Sequence, residues 1–164
     1  MSHTTLRESH CVEEQIKSIP ALQAAALRCG LEFRINQHKF HSYATDYGRL
    51  VGDSPMPAGM TEQDYGSGEC VHAIGIPQAQ QPKVTSYCRH YEIGVINSRK
   101  FPGTFSLAYD SWGGGLEQFA GKNLDRLWDY YRIEAAKEQA TNLGYMFEEQ
   151  VQADNSIRVE ITTL

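Results

Sequence analysis

The sequence predicts an α+β fold: an antiparallel sheet with two principal helices on one of its faces. Three observations predict it. Two stretches carry apolar residues at helical spacing, and about seven others are short and alternate like strands. Several neighbouring strands are separated only by turn-forming residues, which implies antiparallel pairing. A helix or hairpin with one apolar face cannot bury itself alone, so a two-layer sandwich is the simplest solution. A ferredoxin-like or related split arrangement is the first topology this order suggests.

The 164 residues suit a single domain, 1–164, long enough to bury a core. Leu6, Val12 and Ile16 are inward anchors of a first strand within residues 3–17. Ser18 is placed to cap a helix, and Pro20 falls in its first turn, where no N–H is missed. Ile19, Leu22, Ala25, Ala26 and Cys29 form the apolar stripe, which Gly30 ends. Leu31, Phe33 and Ile35 then alternate on one face of a strand. From about Asn36 to Glu69 the pattern decays. Within it, residues 48–68, including the turn-rich run Gly52-Asp53-Ser54-Pro55-Met56-Pro57, read as a long loop insertion.

Order returns at residues 70–76, a short strand closed by Pro77. Residues 84–96 read as the best strand of the chain, with Tyr87, Arg89, Tyr91, Ile93 and Val95 on one face. A turn over 97–103 leads back into 104–110, where Phe105, Leu107 and Tyr109 alternate. A glycine-rich corner at 111–115 and a short helical turn over 116–121 precede residues 123–164, the organising unit. There Leu124, Leu127, Trp128, Tyr131, Ala135 and Leu143 recur at helical spacing, and Gly144 is a left-handed stop. Strands at 145–151 and 157–163 follow, around the turn Ala153-Asp154-Asn155-Ser156.

Charge removes some functions. Fifteen basic against twenty acidic residues give a net charge of −5, and the basic residues are scattered. A protein that tracks phosphates needs a basic face, so nucleic acid is an unfavoured partner. No window is apolar enough to span a membrane. The first residues are polar and lead into no apolar run, so Cys11, Cys29, Cys70 and Cys88 are expected as reduced thiols in a cytoplasmic setting.

The chemistry-bearing motif is a repeated Cys-x-His spacing, Cys70-Val71-His72 and Cys88-Arg89-His90. Residues i and i+2 of a strand point the same way. Two such strands side by side in register would converge Cys70, His72, Cys88 and His90, a tetrahedral donor set for zinc or iron. Against this, no C-x-x-C knuckle occurs, and half-buried thiols beside surface histidines explain the same residues. His38 and His41 are three apart but lie on no helical stripe, and Asp46 is the only carboxylate near them in sequence. The run from Gly115 to Asn123 fails as a phosphate loop: five residues separate its glycines, and Asn123 stands where Ser or Thr must bind magnesium. Trp112, Phe119, Trp128, Tyr130 and Tyr131 gather aromatic area near the glycine corner, as core packing or, if exposed, as a partner surface. Glu148 and Glu149 are adjacent on a strand and must face opposite sides.

Several short motifs also carry a family resemblance. They are Met1-Ser2-His3, Ile19-Pro20-Ala21-Leu22-Gln23-Ala24-Ala25-Ala26-Leu27 before Gly30-Leu31, Tyr91-Glu92-Ile93-Gly94, Ala108-Tyr109-Asp110-Ser111-Trp112-Gly113, Ala135-Ala136-Lys137-Glu138, and Glu148-Glu149-Gln150-Val151 with Asn155-Ser156-Ile157-Arg158-Val159. Through them the chain resembles the hypothetical chloroplast reading frame thirty-five family, a domain-of-unknown-function family of plastids, cyanobacteria and other bacteria. The likeness spans nearly the whole chain, and residues 40–85 depart most from it. The resemblance implies a small soluble protein acting beside other proteins, and it transfers no catalytic residues.

Three functional expectations follow, from different classes. The first is a non-enzymatic accessory module working through a protein partner, which requires an exposed apolar patch. The second is a metal-binding or small enzymatic domain using Cys70, His72, Cys88 and His90. The third and weakest is a regulatory factor that touches nucleic acid.

Overall fold

The computed structural model describes residues 4–7, 15–42, 69–84, 87–98 and 100–163, so the insertion expected at 48–68 lies outside the described residues. Strand β1 (Thr4–Arg7) precedes helix α1 (Ile19–Arg28), which starts where the sequence says it should. Ser18 is extended (φ −113°, ψ 113°), and its Oγ accepts the Ala21 N–H at 3.1 Å, satisfying one of the helix's orphan donors. Gly30 (φ +78°) turns the chain into β2 (Glu32–Arg34).

Strands β3 (His72–Gly75), β4 (Glu92–Asn97) and β5 (Phe105–Asp110) complete the main sheet. Its order is β1-β5-β4-β3-β2, and every neighbouring pair is antiparallel. Thus β2 to β5 form a meander, with β1 added beside β5. A short helix α2 (Gly115–Ala120) leads to α3 (Asp125–Asn142), and β6 (Met146–Val151) and β7 (Ile157–Thr162) form a separate hairpin.

Helices α1 and α3 cover one face of the main sheet, giving the α+β sandwich. Leu22, Ala25 and Ala26 from α1 and Leu127, Trp128 and Tyr131 from α3 share one core with Ile74, Ile93, Val95, Leu107 and Tyr109 of the sheet. The Tyr131 hydroxyl accepts the Lys17 N–H at 2.8 Å and the Ser18 N–H at 3.3 Å, and Ser18 Oγ donates to Glu138 at 2.7 Å. The start of α1 is therefore capped from within and pinned to α3 from outside.

The second face is built from small residues. Ala73, Gly94 and Ala108 lie opposite one another on β3, β4 and β5, a row across the sheet with almost no side chain. The segment after β2 crosses this row and packs Phe40 on it, with Cys70 and Ile96 at its margin. Backbone bonds clip the segment down: the Glu92 N–H donates to His41 O at 2.9 Å and the Cys70 N–H to His38 O at 2.9 Å.

Five expectations fail for identifiable reasons. Residues 84–96 are not one strand: a 3₁₀ helix at Tyr87–His90 precedes β4, closed by the Tyr91 N–H donating to Cys88 O at 2.9 Å. Alternating side chains at 87, 89 and 91 imitate a strand, and three-residue periodicity is too short-lived to announce itself. The long helix starts at Asp125 and not at 123, because Asn123 (φ +56°) and Leu124 (φ +61°) are left-handed, the latter held there by complete burial. Leu143 is solvent-exposed at the helix end, and Ile35 likewise leaves the face of Leu31 and Phe33, since β2 ends at Arg34 and Asn36 (φ +58°) turns the chain. Finally, the hairpin does not bury its apolar face. Its register sets Phe147, Val151, Ile157, Val159 and Ile161 on one side, yet Val151 and Ile161 remain 73% and 47% exposed. Arg28 ties the hairpin to the body, donating to Glu134 on α3 at 3.1 Å and to both oxygens of Glu149 on β6 at 3.0 Å.

Candidate functional site

The two Cys-x-His pairs fall into different surroundings. A bend at Val71 precedes β3, so the period of two breaks inside the first pair. Cys70 packs toward the Phe40 cluster and its thiol donates to Gln37 O at 3.1 Å, whereas His72 stacks on Phe33 at 5.3 Å and its Nδ1 accepts the Asn36 N–H at 2.9 Å. In the second pair Cys88 is buried in the helix-side core against Gly115, and His90 is exposed, edge-on to Tyr91 and His41. The expected convergence of Cys70, His72, Cys88 and His90 fails with the strand that was to carry the second pair. Among the described residues no group of three or more His, Cys, Asp and Glu side chains is arranged to hold a metal ion. Burial pushes the Cys70 thiol up to about 12, with the Glu92 charge adding to it, and the Cys29 thiol up to about 11. Neither is a ready thiolate, the form in which cysteine attacks or ligates.

The second face instead gathers a polar cluster around Glu92, a residue that the sequence offers in a resemblance motif but in none of the chemistry-bearing ones. Its carboxylate is 1% exposed. Arg34 donates to its Oε2 at 2.5 Å, Gln37 reaches both oxygens at 2.9 and 2.7 Å, and the His41 N–H donates to Oε1 at 3.1 Å. Gly75 makes the first contact available, because a Cβ there would lie 2.7 Å from the Arg34 Cζ. The His41 imidazole stands at 4.0 Å from Oε1, beyond hydrogen-bond range, and is itself exposed. A carboxylate so fully supplied with donors has no lone pair held open for a substrate proton. Its evident work is to hold the crossing segment 34–42 against the sheet, as buried charges do when paired and hydrogen-bonded. The signal for it in sequence was the pair of glycines inside strands, Gly75 and Gly94, which mark close approach of another group.

The remaining candidate is apolar. A shallow groove of about 550 Å³ runs between the outer side of α1 and the edge strand β2, lined by Gln23, Ala24, Leu27, Leu31, Phe33 and Pro77, with Glu32 at its rim. Leu27 is 75% exposed above it. Strand β2 ends the sheet order, so no described strand pairs with its outer side.

No protein-family model, curated protein or solved structure matches the chain. No helix among the described residues is long and apolar enough to cross a membrane.

Proposed function

We propose that this protein is a non-enzymatic accessory module that binds another protein through the groove between α1 and β2. The observation that carries this reading is Leu27, a large apolar side chain 75% exposed over a mainly apolar groove. Single exposed leucines need no explanation, but one that overhangs Ala24, Leu31, Phe33 and Pro77 continues an apolar surface. The occupant that fits is an extended apolar segment of another protein. Added along the outer edge of β2, where no described strand pairs, it would gain main-chain hydrogen bonds and drop alternate side chains against Leu27 and Phe33. A basic residue on that segment would face the exposed Glu32 at the rim. The resemblance to the chloroplast reading frame thirty-five family, with its expectation of work beside other proteins, points the same way.

The test is capture from extracts of the native cell by the wild-type chain and by Leu27→Glu. Glutamate is a good helix former and the position is exposed, so the variant should fold as the parent does. A partner held by the wild type and lost by the variant supports the groove. Identical captured sets contradict it.

A further inference from the structure

We propose that β7 is a homodimerisation strand, pairing with β7 of a second copy of this chain about a two-fold axis through Val159. This concerns a surface other than the α1–β2 groove and stands independently of the function proposed for it. The β6–β7 hairpin is a sheet of its own, and no described strand pairs with the outer edge of β7. An isolated two-stranded hairpin with its apolar face half open is marginal in water, and an unpaired edge is a template for another strand.

The hydrogen-bond phase of β7 suits such pairing. The Asn155 N–H donates to Gln152 O at 3.0 Å and the Gln152 N–H to Ser156 O at 2.8 Å, with Asn155 left-handed (φ +66°), which makes a three-residue loop with a bulge. Counting from the 152–156 pair, antiparallel alternation turns Arg158, Glu160 and Thr162 toward β6. Ile157, Val159 and Ile161 are then left with N–H and C=O groups pointing outward. Two β7 strands placed antiparallel with Val159 opposite its counterpart bring just these groups together.

The side chains select that register. It sets Ile157 opposite the second copy's Ile161 on the apolar side, so two half-open hairpin faces join into one. On the other side it sets Arg158 opposite the second copy's Glu160, and by symmetry Glu160 opposite Arg158. Slipping by one hydrogen-bonding step sets Arg158 against Arg158 in one direction and Glu160 against Glu160 in the other. Pairing two β6 edges through their outward groups sets Glu149 against Glu149 in one register and Glu148 against Glu148 in the next. The hairpin also sets Glu148 directly opposite Glu160 within one copy. Like charges so placed repel, and the second copy's Arg158 would sit beside Glu160 and relieve them.

The experiment is sedimentation velocity on the full chain over a concentration series reaching about 0.5 mM, an appropriate range for a dimer of micromolar affinity. The wild type is expected to dimerise. Arg158→Glu, and separately Glu160→Arg, should each weaken the dimer about tenfold, since each places like charges in both symmetric pairs. The double exchange Arg158→Glu with Glu160→Arg restores opposite charges and should restore the dimer. Val159→Pro removes an outward N–H without touching the β6 ladder and should leave a folded monomer by circular dichroism. A wild-type chain that stays monomeric throughout, or a double exchange no better than the single variants, overturns the proposal.

Discussion

The Phe40 ring lies directly on the backbone of Gly94, so closely that a Cβ built there would stand 2.6 Å from the ring Cε1 and 2.8 Å from Cγ. Neither partner can withdraw: Gly94 sits in a central strand between β3 and β5, and Phe40 is buried. Gly94→Ala should therefore destabilise the fold by about 1–3 kcal/mol, the usual cost of overpacking, even though alanine is the better strand former. Urea unfolding measures it, and a variant as stable as the parent would mean that Phe40 is not seated on the sheet.

The same bond network that starts α1 also joins the two helices. Ser18→Ala removes the cap on Ala21 and the bond to Glu138, and should cost about 1 kcal/mol. Tyr131→Phe leaves the Lys17 N–H without its 2.8 Å acceptor and should cost about 1–2 kcal/mol. Because both changes act on residues 17–18, the double variant should cost less or more than their sum. Strict additivity in a double-mutant cycle would show that the two contacts are independent.

His72 gives the fold a pH dependence. Its imidazole is buried, which lowers its pKa below the ordinary value, and the neighbouring His38 lowers it further. Its Nδ1 accepts the Asn36 N–H, so a proton at that nitrogen would break the bond. Below about pH 6.5 the unfolded chain takes up a proton that the folded chain resists, and stability falls as pH drops through that value. His72→Gln should show a shallower loss of stability between about pH 6.5 and the lowered folded value. Equal pH slopes in the two proteins would place the effect on other groups.

The parts of this fold legible in the sequence are those governed by near neighbours. Ser18, Pro20 and Gly30 bracket α1, and Leu127, Trp128 and Tyr131 mark the buried side of α3, because capping and helical periodicity act over a few residues. The β6–β7 turn was legible in the same way from Asp154 and Asn155. What escaped depends on distant pairing. Glu92 meets Arg34 across 58 positions of sequence, and the only local hint is Gly75, the strand glycine that leaves room for Arg34. The Cys-x-His pairs suggested a shared site because a strand was assumed where Tyr87–His90 forms a 3₁₀ helix. Once that strand is shortened, Cys88 turns into the core and the convergence disappears. The exposed Leu27 illustrates the opposite limit: the stripe of α1 already leaves it on the open side, but only the packed structure shows the apolar groove beside it.

The most direct measurement of the account is photo-crosslinking in the native cell from a benzophenone amino acid at position 27, with the same group at the exposed position Gln139 as control. If α1 and β2 form a protein-binding groove, position 27 yields a discrete product with another protein that position 139 does not. Filling the groove by Ala24→Arg then abolishes it. If positions 27 and 139 give the same products, or if Ala24→Arg leaves the product unchanged, the groove is not the binding surface.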